Sequence, residues 1–266
     1  MTTTPPTGAT ILARTPDLLA TMHRRWKEDR ARDGPWSAAR SFFRRIGEFL
    51  WESMPAQRRQ RYGDAEYDWD HRVNTTSATV GWRERLLGQF HSGYQPTEPA
   101  LFTEMMSSLK INFQEFTFID MGSGKGRVLL MAADYPFHRI VGVELFPALH
   151  RVAQQNLSAY RSNSQQCFAL ETVCGDAREF MFPPEPLLLY LFNSLPEAAL
   201  IEVMTRLDDS LRQCPREVYL LYHNPLLEPV LANYLAFKKI AGTHQYSLFQ
   251  VSKVIMCGSD TSVRRF

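Results

Sequence analysis

The stretch Phe118-Ile-Asp120-Met-Gly122-Ser-Gly124-Lys-Gly126-Arg127-Val-Leu-Leu130 decides how the rest of the chain is read. A short apolar run ends at an acid, three glycines alternate, and a helical pattern follows at once. Glycine permits positive φ and lets a ligand approach bare backbone. Free N–H groups at the start of the following helix would face that ligand. Spacing narrows the choice of ligand. In the dinucleotide pattern G-x-G-x-x-G the third glycine would fall at Arg127. The phosphate loop G-x-x-x-x-G-K-[ST] fails at the same residue. Asp120, just ahead of the glycines, would repel a pyrophosphate and attract an ammonium or sulfonium centre. A ligand with an adenosine and a positive amino-acid tail suits this loop better than a dinucleotide does.

Outward from the loop, strand-like and helix-like segments alternate. Thr97–Lys110 reads as a helix, Thr117–Met121 as a strand, Gly126–Ala133 as a helix and His138–Glu144 as a strand. Pro147–Tyr160 is helical, and Phe168–Cys174 and Leu187–Phe192 are strands. Pro196–Gln213 is a helix with Leu200, Val203, Met204, Leu207 and Leu211 on one face. Val218–Tyr222 is a strand, Leu226–Tyr234 a short helix, and Phe237–Ile240 and Leu248–Met256 the last strands. Such alternation predicts an α/β fold with a doubly wound, seven-stranded, mostly parallel sheet of Rossmann-like form. The short link Gly242–Gln245 predicts a hairpin, hence an antiparallel C-terminal strand.

Ahead of this lies a different kind of sequence. Residues 1–10 are Thr- and Pro-rich and read as a flexible tail. Residues 11–90 read as a basic helical extension, leaving 91–266 for the α/β domain. Leu18, Leu19, Met22 and Trp26 fall at helical spacing over 16–32, with Asp17 early and Asp33-Gly34-Pro35 as a break. A second helix opens at Ser37, with a stripe of Phe42, Phe43, Ile46, Phe49, Leu50 and Met54 expected to pack on the main domain. Arg40, Arg44 and Arg45 interleave with it, so a membrane-surface contact through 37–54 is the alternative. Residues 56–82 are polar and read as a connecting loop carrying Tyr62, Tyr67, Trp69 and Trp82.

Composition excludes several classes. The 266 residues are 44% hydrophobic and 22% charged, as in an ordinary globular protein. The apolar run Leu187–Phe192 is far short of the ~20 residues that span a bilayer, and no signal peptide is visible. Four dispersed cysteines (Cys167, Cys174, Cys214, Cys257) form no C-x-x-C pair and read as reduced thiols of a cytoplasmic protein. The histidines show no metal-ligand spacing, so no metal site is expected. Net charge is only +2, divided between twelve Lys/Arg against six Asp/Glu in 1–62 and a mildly acidic remainder. Nucleic acid is therefore not the expected partner.

Asp120-Met-Gly-Ser-Gly-Lys-Gly-Arg127 resembles the first motif of class I S-adenosylmethionine-dependent methyltransferases. The segments that follow are similar in order: Val141-Gly-Val-Glu144-Leu145, Cys174-Gly-Asp176-Ala177-Arg178, and Leu191-Phe-Asn193-Ser-Leu-Pro196. The resemblance covers about residues 94–257. It implies S-adenosyl-L-methionine as cofactor, Glu144 on the ribose hydroxyls, Asp176 and the Ala177 N–H on the adenine edge, and Asn193 near the transferred methyl. Gly93-Tyr94-Gln-Pro-Thr97-Glu98-Pro99 further resembles the segment before that motif in lysine methyltransferases of the telomeric-silencing type and in bacterial relatives. That likeness puts Tyr94 and Thr97 beside the cofactor. Asn193 departs from the Asn-Pro-Pro-aromatic form of amine methylators, because Ser194-Leu195 stand in place of Pro-Pro.

Alternatives remain at single positions. Asp176 could cap a short helix from Arg178, Asn193 could cap the helix at Pro196, and Tyr94 could be a core aromatic. His223, at the end of the fifth strand, is either a proton acceptor or a packed histidine. Methyl transfer needs alignment more than acid–base power, since proximity and orientation can supply about 7–11 kcal/mol. The expected activity is methyl transfer by in-line displacement to an unidentified acceptor, a protein amine or a small molecule. The alternative is a non-catalytic cofactor-binding module that recruits a partner.

Overall fold

The computed structural model describes residues 17–54, 65–82, 85–87, 94–231, 234 and 237–251. The tail at 1–10, Tyr62, Gly93, Cys257 and residues 252–256 of the last expected strand lie outside the described residues. Seven strands form one sheet in the order β3-β2-β1-β4-β5-β7-β6. They are β1 (Thr117–Met121), β2 (Arg139–Glu144), β3 (Leu170–Cys174), β4 (Leu187–Phe192), β5 (Val218–His223), β6 (Phe237–Gly242) and β7 (Tyr246–Val251). β1 pairs parallel with β2 and β4, whereas β7 runs antiparallel between β5 and β6. The sheet is the doubly wound, mostly parallel one read from the sequence. The antiparallel strand sits inside it, one place from the edge.

Both faces of the central strands are covered, which is why β4 can be Leu-Leu-Leu-Tyr-Leu-Phe with no alternation. Phe118, Ile140, Leu188 and Tyr190 face α4 (Pro99–Ser107) and α5 (Arg127–Ala132), where Phe102, Met105 and Leu129 are buried. On the other side Ile119, Val141, Leu189 and Leu220 meet Leu200, Val203, Met204 and Leu207 of α7 (Glu197–Gln213). α6 (Pro147–Ala159) covers β2 and β3. α8, described over Glu228–Leu231, opens two residues later than the expected Leu226, because Asn224-Pro225 starts a turn in which Leu226 N–H donates to the Asn224 carbonyl. The order of strands reverses at β1 and β4. Their carboxyl ends therefore flank the crevice in which ligands of such sheets sit.

The N-terminal reading needs two corrections. The polar segment 56–82 is not all loop: α3 (Ala65–His71) forms within it. α1 (Leu18–Asp33) and α2 (Pro35–Glu52) pair with each other, Trp26 lying edge-on to Phe42 at 6.0 Å and Arg45 bonding Asp29 at 2.6 Å. The α2 stripe does not pack on the sheet domain as a whole. Phe43 is 72% exposed and Leu50 60%, while Phe42, Ile46 and Phe49 are half-buried. Two apolar lines run along this helix, and α1 can cover only one of them. No described helix is long and apolar enough to cross a membrane.

Candidate functional site

The three glycines of the loop all take positive φ, 92° at Gly122, 55° at Gly124 and 84° at Gly126. Each also lies beneath another part of the chain. A Cβ at Gly122 would collide with the Ser194 side chain, and one at Gly124 with the Tyr94 ring. A Cβ at Gly126 would stand 3.3 Å from Ala153 Cβ on α6. The loop is tied to β2, because Gly122 and Ser123 donate their N–H groups to the Val143 carbonyl at 2.8 and 3.0 Å. Glu144 then closes the turn: Oε2 accepts the Gly124 N–H at 2.7 Å and Oε1 the Phe146 N–H at 2.8 Å.

Two carboxylates share this corner. Asp120 is 3% exposed and Glu144 4%. Burial pushes the Asp120 carboxyl well above its ordinary range, and the Glu144 charge adds to the shift. Burial likewise pushes Glu144 up to about 7, against the hydrogen bonds from Phe146, Gly124 and Leu145. Among the described residues no Lys or Arg forms an ion pair with either one. Lys125 and Arg127, though adjacent in sequence, reach elsewhere. Lys125 Nζ donates to the Thr76 carbonyl at 2.7 Å. Arg127 Nε donates to Thr75 Oγ1 at 2.6 Å and its Nη2 lies 3.4 Å from Asp68. The corner is thus acidic and short of positive charge.

It opens into a hollow of about 690 Å³, within the range of small-molecule sites. Asp120, Gly122 and Gly124 line it, as do Glu144, Asp176 and Ala177. So do Tyr94, Thr97 and Asn193. Tyr94 is fixed by its hydroxyl, which donates to the Thr75 carbonyl at 2.5 Å. Asp176 does cap a short helical turn, accepting from Arg178 N at 2.9 Å and pairing with the Arg178 guanidinium at 2.6 Å. Burial raises its carboxyl, but Arg178, with Arg24 of α1 adding, outweighs that and holds it below the usual range. Asn193 takes φ 42° at the end of β4.

Two expected site residues stand off the wall. Gly126 is not part of it and serves the packing of α5 on α6. His223 is 6% exposed, stacked on Phe192 at 3.7 Å, and lies behind Tyr190, whose hydroxyl is 2.8 Å from Nδ1. The same hydroxyl is 2.9 Å from Thr97 Oγ1. Burial lowers the imidazole to about 4, so His223 is a packed, neutral histidine near neutral pH.

Sequence reasoning missed several contributors. Asn224 follows β5, takes φ 49° and lines the hollow next to the end of β4. Lys125, 1% exposed, and Arg127, 2% exposed, anchor residues 68–79 to the back of the glycine loop. Asn156 completes the seam, donating to the carbonyls of Asn74 at 3.0 Å and Lys125 at 2.8 Å. The one available signal was that Lys and Arg alternate with tightly packed glycines, a place with no room for solvated side chains.

Residues 88–173 match the family model described as histone methylation protein DOT1. No curated protein matches the chain. Among solved structures, an RNA methyltransferase from Salinibacter ruber in complex with S-adenosyl-L-homocysteine is similar at 18% identity, over 62% of this chain and 98% of that one, with a TM-score of 0.39. A dimethyladenosine transferase from Plasmodium falciparum is similar at 13% identity, over 59% and 62%, with a TM-score of 0.43. A precorrin-6y C5,15-methyltransferase from Geobacter metallireducens is similar at 16% identity, over 59% and 90%, with a TM-score of 0.43.

Proposed function

We propose that the chain is a methyltransferase that uses S-adenosyl-L-methionine as its methyl donor. The observation that carries this is the pair Asp120 and Glu144, two buried carboxylates without a basic partner at the carboxyl ends of β1 and β2, beside a loop of bare backbone. Such a pair is stabilised by a cationic ligand and destabilised by a phosphate-bearing one. The DOT1 match over 88–173 supports the same class.

When bound, the cofactor supplies a methyl group on a positively charged sulfur. The chain's own part is to hold and align. Asp120 balances positive charge, and Glu144 both shapes the loop and keeps lone pairs for hydroxyl donors. Asp176 and the Ala177 N–H serve the adenine end, and Gly122 and Gly124 keep the backbone open to the ligand. Thr97 and Tyr94 stand beside the cofactor, and Tyr94 and Asn193 border the acceptor side, where the Asn193 amide can orient a nucleophile. His223 has no direct role, since it lies off the wall. Residues 91–266 act as the catalytic domain, and 11–90 as a basic helical extension. The acceptor is a protein amine or a small molecule.

Titration calorimetry with S-adenosyl-L-methionine tests the donor. Asp120→Asn should weaken binding by about tenfold or more, as expected for losing a desolvated charge pair; equal binding by both proteins overturns the reading. Transfer of labelled methyl from the cofactor to fractionated lysate then separates an enzyme from a partner-recruiting module that binds and does no chemistry.

A further inference from the structure

One face of α1 is turned into the same hollow. Asp17, Ala20, Thr21, Arg24, Arg25 and Glu28 line it, and their spacing (three, then one, repeatedly) is that of a single helical face. The apolar side of the helix, with Leu18, Met22 and Trp26 half-buried, lies toward α2. A polar helical face is therefore held against a cavity by an apolar one behind it. Thr21, at 6% exposure, is among the few buried residues of α1. Nothing in the sequence pattern announced this, because the polar face looks like an ordinary solvated one.

Charge matches across the gap. Asp176, in the turn after β3, and Glu202 of α7 line the hollow, Glu197 opens α7, and α1 presents Arg24 and Arg32. The Arg24 charge reaches Asp176 and the Arg32 charge feels Glu197. Helix and sheet edge attract each other over the mouth of the hollow.

We infer that α1 is a wall of the cofactor site, so that the adenosyl-bearing donor is bound between the glycine loop and this N-terminal helix rather than by the sheet domain alone. The inference rests on the donor reading above and adds the residues of α1 to the binding site. It makes the basic extension part of cofactor recognition, and it leaves acceptor entry to the side of the hollow formed by Tyr94, Asn193 and Asn224.

The full chain is tested with S-adenosyl-L-homocysteine as the probe. Two neighbouring substitutions, about 100° apart around the helix, separate a wall from a mere surface helix. Ala20→Trp puts an indole into the hollow and should weaken binding by about tenfold or more. Leu19→Trp, on the 73% exposed side, should leave binding unchanged. Amide hydrogen exchange over residues 18–33 should slow when the probe is saturating. Wild-type affinity in Ala20→Trp together with unaltered exchange over 18–33 overturns the wall while leaving the donor reading intact. Failure of the unaltered chain to bind either S-adenosyl-L-homocysteine or S-adenosyl-L-methionine overturns both.

Discussion

Glu144 Oε2 accepts the backbone N–H of Gly124 at 2.7 Å, so the last residue of β2 holds the loop that follows β1. The carboxylate does this while 4% exposed and with Asp120 nearby. It is a structural clamp and an electrostatic demand in one group. Burial holds its carboxyl at about 7. A cationic ligand favours the ionised form, so affinity for S-adenosyl-L-methionine should rise as pH rises through about 7 and fall below it. Glu144→Gln should flatten that profile and weaken binding; calorimetry across this range reads both.

Glu144 and His223 make opposing contributions to the pH dependence of stability. Glu144 has its folded value raised from 4.5 to about 7, so its contribution is present below 4.5 and is lost as pH rises through about 7. His223 has its folded value lowered from 6.5 to about 4, so its contribution is present above 6.5 and is lost as pH falls through about 4. Each is of the order of 3 kcal/mol, and over the same window they offset one another. Glu144→Gln removes one of them. Denaturant melts of that variant should show stability climbing from acid toward neutral pH more steeply than in the unaltered chain.

Gly124→Ala should destabilise by about 1–3 kcal/mol, because φ 55° is strained for alanine and the new methyl meets the Tyr94 ring. Combining it with Tyr94→Ala should cost less than the sum of the two single changes. A strictly additive double-mutant cycle would mean that the ring does not rest on this glycine.

Asp68→Ala should be among the most damaging changes outside the hollow. It leaves the Arg127 guanidinium, 2% exposed, without its carboxylate, and strips acceptors from the N–H groups of Thr75 at 2.6 Å and Thr76 at 2.8 Å. Breaking a buried pair in this way costs about 3–5 kcal/mol. Urea midpoints measure it.

On α2, Phe43→Ser and Leu50→Ser should each change stability by only about 0.5 kcal/mol or less, despite replacing large apolar residues. The reason is their exposure, 72% and 60%. A loss of several kcal/mol would show that these side chains are covered in solution.

The alternation of strands and helices, the acid at the tip of β1 and the glycine turn were all legible in the sequence, because each rests on neighbours a few residues away. Local periodicity decides whether a segment is a strand or a helix, and the positive φ of Gly122, Gly124 and Gly126 is a local demand. What only the tertiary structure decided concerns residues whose partners are far along the chain. Lys125 and Arg127 are buried because Thr76, Thr75 and Asp68 arrive from about fifty residues earlier. His223 is set back from the hollow because Tyr190 and Phe192 of the neighbouring strand stand in front of it and beside it. The α1 and α2 helices were predictable as helices, but a hydrophobic pattern says only that a face can be covered. Which element covers it, and whether the opposite polar face meets water or a cavity, is set by docking in three dimensions.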